Sequence, residues 1–274
     1  MRFLKVYDTG NLNLSSVPTP LSLKTLAVLG HVVGIKIDIS ASAAGTLTTP
    51  ASLQNVISGF NLKDSNQVDI LPNTISGNDL VTLSYILSPK GVNVASQIPA
   101  VSSTNTKFSL IVYIPIAVSE QPVSFQGTLA PYSALAASGA TGGTGEIGIS
   151  WVVEDSLAGV QKTMHLYKFN PTLVTGDNLI GNQLDATRQT IELAANIQAD
   201  SNLNYITFRS GDQVELDAVG PDYFISQDTQ LMNSGHVNGL EILRVTPFTA
   251  SKSTYFDLNL STLPSSTTIY QFEV

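Results

Sequence analysis

The stretch HVVGIKIDIS, residues 31–40, sets Val33, Ile35, Ile37 and Ile39 on one parity and Gly34, Lys36, Asp38 and Ser40 on the other. Successive side chains of an extended strand point to opposite faces, so this spacing predicts a strand with one buried and one wet face. The same β-branched alternation recurs along the chain, cut each time by Gly, Pro, Asn or Ser. SLQNVISGFNL, DLVTLSYIL and TKFSLIVYIPI are expected strands in the first part. GEIGISWVV, KTMHLYKF, RQTIELAANIQ, LNYITF, QVELDAV, NGLEILRVTPF, STYFDLNL and TTIYQFEV follow. Many short strands separated by turn formers favour a β-sandwich over amphipathic helices. The expected fold class is all-β.

Two segments break the pattern. Val123 to Ala137 carries small and helix-favouring residues around Pro131, and is expected to form one or two short helical turns. NPTLVTGDNLIGNQLDA, residues 170–186, is polar, punctuated by Gly and Pro, and aperiodic, which makes it the best linker candidate. That places a boundary near residue 176 and predicts two units, 1–176 and 177–274.

Gly143, Gly145 and Gly148 spell G-x-G-x-x-G, the spacing that holds a dinucleotide pyrophosphate. The fingerprint requires a strand before the glycines and a helix opening at the last of them, so that N–H groups and the helix dipole face the phosphates. Here the expected order is reversed, with helical turns before and a strand after. The glycines read as a helix-to-strand connection, and no cofactor is expected.

Composition bounds the partners. With 274 residues, 43% of them hydrophobic, the chain builds real cores. Only 12% are charged, against about 25% in a typical globular chain, and Ser, Thr, Asn and Gln take their place. Such a surface suits extensive protein contact. There is no cysteine, which excludes disulfides and thiolate metal sites. The net charge of −8 is uneven: residues 1–176 hold nine Lys/Arg and nine Asp/Glu, residues 177–274 four and twelve. Phosphate neutralisation needs clustered cations, so no direct nucleic-acid binding is expected. The acidic second part suits a negative exterior that discourages random association. MRFLKVYDTGNLNL has no apolar core of a secretory signal. The longest apolar run, Leu110 to Val118, is nine residues, well short of the ~20 of a membrane-spanning helix.

Catalytic spacings are missing. His31, His165 and His236 show no H-x-H or H-E-x-x-H pattern. Gly148-Ile149-Ser150-Trp151-Val152 lacks the last glycine of a nucleophile elbow and sits in an expected strand. Glu154-Asp155 and the group Asp212, Glu215, Asp217, Asp222 supply carboxylates, and Glu215 and Asp217 share a strand face by parity. Asp212, Glu215 and Asp217 are weak candidates for a Ca²⁺ site; without a D-x-[DN]-x-[DN]-G loop, a solvated acidic edge is the plainer reading.

HVVGIKIDISASAA enters a small-residue loop, ASLQNVISGFNLKDSNQVDIL ends in a polar turn, and SSTNTKFSLIVYIPIAVSEQPVSFQGTLAPYSALAA runs through an aromatic-x-Pro-aliphatic-Ala step before GEIGISWVV returns. That step is Tyr113, Ile114, Pro115, Ile116 and Ala117, followed by Ser119 and Glu120. Taken together, residues 28–155 resemble the first jelly roll of the double jelly-roll major capsid proteins of tailless icosahedral phages with an internal membrane, the lineage that includes adenovirus hexon. The resemblance implies two consecutive jelly rolls with a short helix in the first, the second complete or reduced in so short a chain. It implies pseudo-hexameric trimers that build an icosahedral shell, with penton and minor capsid proteins as further partners, and no enzymatic activity. The site would be the virion, after synthesis in the host cytoplasm. It also implies an N-terminal arm facing the internal lipid membrane, where Arg2, Phe3, Leu4 and Lys5 are the candidate contacts. Two other classes compete: a β-sandwich phage fibre, tail or carbohydrate-binding module, which would expose clustered aromatics, and a jelly-roll hydrolase, which would need a converging carboxylate pair. The lone tryptophan, Trp151, lies by alternation in a core strand, against the sugar-binding reading.

Overall fold

A computed structural model of the chain describes residues 2–27, 30–87, 98–154, 162–211, 213–231 and 236–274; Asp155 and Asp212 lie outside the described residues. The chain divides into two compact units, Met1–Thr163 and Met164–Val274.

The first unit runs β1 (Arg2–Asp8), β2 (Leu12–Asn13), β3 (Thr19–Pro20), β4 (Lys24–Leu26), β5 (His31–Pro50), β6 (Ile57–Lys63), β7 (Asp69–Leu71), α1 (Gly77–Ile86), β8 (Thr106–Val112), β9 (Val123–Leu129) and β10 (Ala136–Glu154). One sheet has the order β1-β10-β5-β8, with β2 also on β10; the other has the order β3-β9-β6-β7, with β4 also on β9. The second unit runs β11 (His165–Phe169), β12 (Gln189–Asn196), β13 (Leu203–Ser210), β14 (Gln213–Val219), α2 (Pro221–Leu231), β15 (Leu240–Thr249), β16 (Thr254–Leu260) and β17 (Thr268–Glu273). Its sheets have the orders β11-β17-β12-β15 and β14-β13-β16.

The two units follow one path. In each, the first strand pairs with the last, the last with a strand from the middle of the unit, and that strand with the one after the helix: β1-β10-β5-β8 and β11-β17-β12-β15. The helix sits between corresponding strands, α1 between β7 and β8 and α2 between β14 and β15. The second sheet of the second unit needs one more member to match, and the chain supplies it. Gly176 bridges Leu260 and Leu179 bridges Asp257, laying residues 176–179 along β16. Each unit therefore has two sheets with four members apiece on their main paths, the first unit adding β2 and β4, and the second is not reduced.

This corrects the expected linker. Residues 170–186 are aperiodic because one polar side chain, not a hydrophobic face, fixes them. Asn178 accepts from the N–H of Val174 at 2.7 Å and donates to the carbonyls of Val174, Gly176 and Leu258 at 2.7, 2.8 and 3.0 Å. The expected boundary near 176 thus falls inside the second unit, beyond β11, which pairs with β17 from His165↔Glu273 to Phe169↔Ile269.

Three further expectations change. DLVTLSYIL is not a strand but most of α1. Ser76 accepts from the N–H of Asp79 at 3.2 Å while Asp79 accepts from that of Ser76 at 2.7 Å, a capping box that opens the helix. Leu80, Leu83 and Ile86 then fall on one buried face at a spacing of three. Val123 to Ala137 is not helical in the expected sense: it is β9, a single 3₁₀ turn at Tyr132–Leu135 and the start of β10. Val123, Phe125 and Leu129 are fully buried, and Phe125 packs on Tyr7 and Phe60 at ring distances of 5.2 and 5.0 Å. Tertiary packing overrides the local helix preference of a small-residue stretch.

The glycine-rich connection and the expected small-residue loop after Ser40 are partner strands. β5 and β10 pair from Glu154↔His31 to Ala136↔Pro50. Their small residues allow close approach: a Cβ on Gly143 would lie 2.6 Å from the carbonyl oxygen of Ser42, and one on Gly145 2.9 Å from Val56. These glycines are required by strand packing. The alternation in β5 holds at Ile35, Ile37 and Ile39, all buried, but a register shift opposite Val152 and Val153 puts Val32 rather than Val33 in the core. A bulge of this kind swaps which parity faces inward.

Packing closes both units. Trp151 is fully buried and its indole N–H donates to the carbonyl of Ala27 at 2.9 Å. The second core joins both sheets and the helix through Leu193, Leu243, Phe208, Phe256, Ile269 and Phe224. Phe208 meets Phe248 at 5.1 Å and Phe256 edge-on at 6.1 Å.

Candidate functional site

The expected membrane-facing residues form a strand. Arg2, Phe3, Leu4 and Lys5 begin β1, which is paired along one side with β10 and is the edge of its sheet. All four are exposed, Phe3 at 50% and Leu4 at 37%. Lys5 forms an ion pair with Asp8, and the Lys36 ammonium lies 6.0 Å from the Phe3 ring centre. Beside them on the same sheet stand Lys36 paired with Asp38, and Ser109 donating to Asp38. An edge strand with exposed apolar side chains is a template for contact with another surface.

Glu215 and Asp217 lie on β14 as parity requires, with Leu216 turned inward between them. Asp217 is ion-paired with Arg209 of β13 at 3.2 Å, and that guanidinium lies 5.8 Å from the Tyr255 ring centre. Asp222 is exposed in the first turn of α2, where an acid favours the helix N-terminus. The structure does not gather these carboxylates into a group of metal-ligand atoms among the described residues. His31 stands opposite Glu154 in the β5–β10 ladder, and His165 begins β11 and is buried.

The densest charged group was not singled out in the sequence. It forms at one end of the second unit, where β12 leads into a 3₁₀ turn at Asp200–Asn202, α2 ends, and β15 begins. Glu241, the second residue of β15, is fully buried, and neither carboxylate oxygen has a hydrogen-bond partner. His236 lies between two aspartates, its Nδ1 3.1 Å from Asp228 and its Nε2 3.0 Å from Asp200. Asp228, on α2, is fully buried and also accepts from Arg244 at 3.2 Å; Arg244 donates as well to Gln227 at 2.8 Å. The N–H of Gly239 and the side chain of Asn238 fix Asp200.

The electrostatics follow from burial. Removal from water, reinforced by the charge of Asp200, pushes the Glu241 carboxyl up to about 8, with His236 opposing. Burial pushes Glu192, opposite Arg244 in the β12–β15 ladder, up to about 7 although Arg244 opposes it. For His236 burial acts downward, but the hydrogen bonds to Asp200 and Asp228 outweigh it and hold the imidazole above its usual range. The signal was legible in part: Glu241 shares its parity with Leu243 and Val245, both core residues, so a carboxylate sits on the inward side of a strand.

No protein-family model matches the chain, and no curated protein resembles it in sequence. Solved structures do resemble it in fold. The Sulfolobus turreted icosahedral virus structure aligns over 98% of this chain and 90% of its own, at 13% identity and a TM-score of 0.61. The PBCV-1 virus capsid aligns over 99% and 93% at 11% identity and 0.60. The major capsid protein P2 from bacteriophage PM2 aligns over 97% of both chains at 10% identity and 0.56. Alignment across both units agrees with the repeated strand path, and by fold the chain is a double jelly roll of the kind found in these viral coat structures.

Proposed function

We propose that the chain is a viral major capsid protein whose activity is assembly. The observation that carries this reading is the doubling itself: one strand path and one helix position, repeated in two units that together span the length of known coat chains. Two jelly rolls in each of three chains give six similar blocks, a pseudo-hexameric capsomer able to tile an icosahedral shell. A closed three-fold ring also uses one interface three times, so modest complementarity in one chain is multiplied. The low charge content supports the same reading, because interfaces deplete charge where desolvation is costly. No turnover and no cofactor are needed for this role, and the location is the virion.

The exposed edge strand β1, with Phe3 and Leu4 beside Arg2 and Lys5, is the surface we assign to the inner side of the shell, facing an internal membrane. A few cations and two apolar side chains provide weak adhesion, about 1 kcal/mol per cation near an anionic surface, so the contact would act through many copies. The test of assembly is native mass by light scattering over a range of protein and salt concentrations. A stable species of three times 29.1 kDa is expected. A chain that stays monomeric at every concentration, and forms no particles visible by electron microscopy, would refute the reading.

A further inference from the structure

We infer that Asp200, His236 and Glu241 form a binding site for one first-row divalent transition-metal cation, of which Zn²⁺ is the best fit. One ligand atom from each residue can be chosen so that all lie within 4.8 Å of one another, close enough to surround a single ion. An acidic cluster alone would not establish this. The independent observation is Glu241, which is fully buried with both carboxylate oxygens unpartnered. A buried carboxylate without hydrogen bonds is costly unless a proton or a cation meets it. The group also holds Asp228, fully buried, against the single guanidinium of Arg244. Among the described residues of the group, the carboxylates of Asp200, Asp228 and Glu241 face one guanidinium and one imidazole.

The chemistry of the donors selects the ion. One imidazole nitrogen and two carboxylates suit zinc or its neighbours, whereas Ca²⁺ prefers an all-oxygen shell of six to eight ligands. Tetrahedral zinc would leave a fourth position for water beside Asp200, the least buried of the three. The support around His236 matches that use. With Asp228 accepting from Nδ1–H, the neutral ring presents Nε2 toward Asp200. A carboxylate behind a histidine ligand fixes its tautomer and raises its basicity. Asp228 is itself held by Arg244, so a two-member support stands behind one ligand. The ion would join the 3₁₀ turn after β12 to His236 and the start of β15, which are near each other in sequence and far from the turn.

The test uses the full chain, dialysed first against a chelator and then against chelator-free buffer at pH 7.5. Titration calorimetry with ZnCl₂ is expected to show one site per chain, and melting temperature should rise with free zinc, as ligand linkage requires. Glu241→Gln keeps the side chain's shape while removing the charge, so it folds, and it should weaken binding at least tenfold. Asp228→Asn should weaken it by 10- to 100-fold without touching the ion. Glu215→Gln, on the exposed face of β14, should leave binding unchanged, and CaCl₂ should not compete. Absence of zinc binding, or binding that Glu241→Gln leaves intact, would overturn the inference; in the first case Glu241 is held neutral by a proton.

Discussion

Asn178→Ala tests whether residues 170–186 are a strand of the second jelly roll or a tether between domains. The side chain is 7% exposed and reaches four backbone groups, on Val174, Gly176 and Leu258. Its amide has only two hydrogens for three carbonyls, so one hydrogen is shared and the set amounts to three bonds rather than four. At about 1 kcal/mol net per bond, truncation removes ~3 kcal/mol. The carbonyl of Leu258 lies in a buried strand, where water does not easily replace the lost donor. For a unit of this size, about 4 °C per kcal/mol converts that loss into a fall of ~12 °C. Calorimetry should resolve the shift, and limited proteolysis should then cut within 170–186 in the variant but not in the parent chain. Asn204→Ala is the control: Asn204 is exposed and its side chain donates to that of Asn259 at 2.7 Å, so its cost should stay within about 0.5 kcal/mol. If Asn178→Ala melts with the control and the parent chain is already cut in this segment, the segment is a tether. The second unit would then have one strand fewer than the first.

Gly143→Ala should cost about 1–3 kcal/mol by urea denaturation, because its Cβ would stand 2.6 Å from the Ser42 carbonyl oxygen; millimolar NAD⁺ should leave the parent's melting temperature unchanged. Ser76→Ala should lose about 1 kcal/mol in the same assay, the usual size of an N-cap, since Asp79 retains its own bond to the Ser76 N–H. Glu273, buried with Asp185 nearby and only partly offset by Arg188, has its carboxyl pushed up to about 7. The folded state then holds a proton that the unfolded chain releases near 4.5, so its contribution is present in acid and is lost as pH rises toward 7. Glu273→Gln should flatten that part of the stability profile, standing above the parent at pH 8 and level with it at pH 4. Vesicles rich in phosphatidylserine should carry the unassembled protein, whose β1 is open to them, upward in a flotation gradient, and less so after Arg2→Ser with Lys5→Ser; equal flotation would remove β1 from the membrane contact.

Alternation was readable wherever large β-branched residues met small polar ones, as in Ile35, Ile37 and Ile39, and it placed Trp151 in the core. It failed by one residue at Val33, because a register shift leaves no trace in composition. It failed over Ala136–Thr144 for a different reason: with Gly, Ala, Ser and Thr on both parities there is no contrast to read, and only the partner strand shows why small residues stand there. α1 was legible but misread, since Leu80, Leu83 and Ile86 satisfy a helical face as well as a run of strand, and the capping box at Ser76 and Asp79 decides between them. α2 carried signals of its own, with Pro221 in first place and Asp222 in the first turn. The charged cluster around His236 was beyond reach of spacing. Its members come from a turn, a helix, a connecting segment and a strand, which only the closing of the sandwich brings together.

The acidic excess of the second part also takes a different meaning. The formal charge of −8 treats every carboxylate as ionised and solvated. Asp228, Glu241, Asp257 and Glu273 are buried, and Glu192 has a buried oxygen without a partner. Burial pushes Glu192 and Glu273 to about 7 and Glu241 to about 8, so near neutral pH these groups hold protons for much of the time. Part of the imbalance therefore lies inside the second unit, while Asp177, Asp217 and Asp222 remain exposed on it. For the assembly proposed here the difference is physical: identical copies with a strongly negative surface repel one another, and each carboxylate held inside the fold lessens that repulsion. A zinc ion at Asp200, His236 and Glu241 would neutralise the same internal charge in place of a proton, so the surface available for assembly would be unaltered while the fold behind it became firmer.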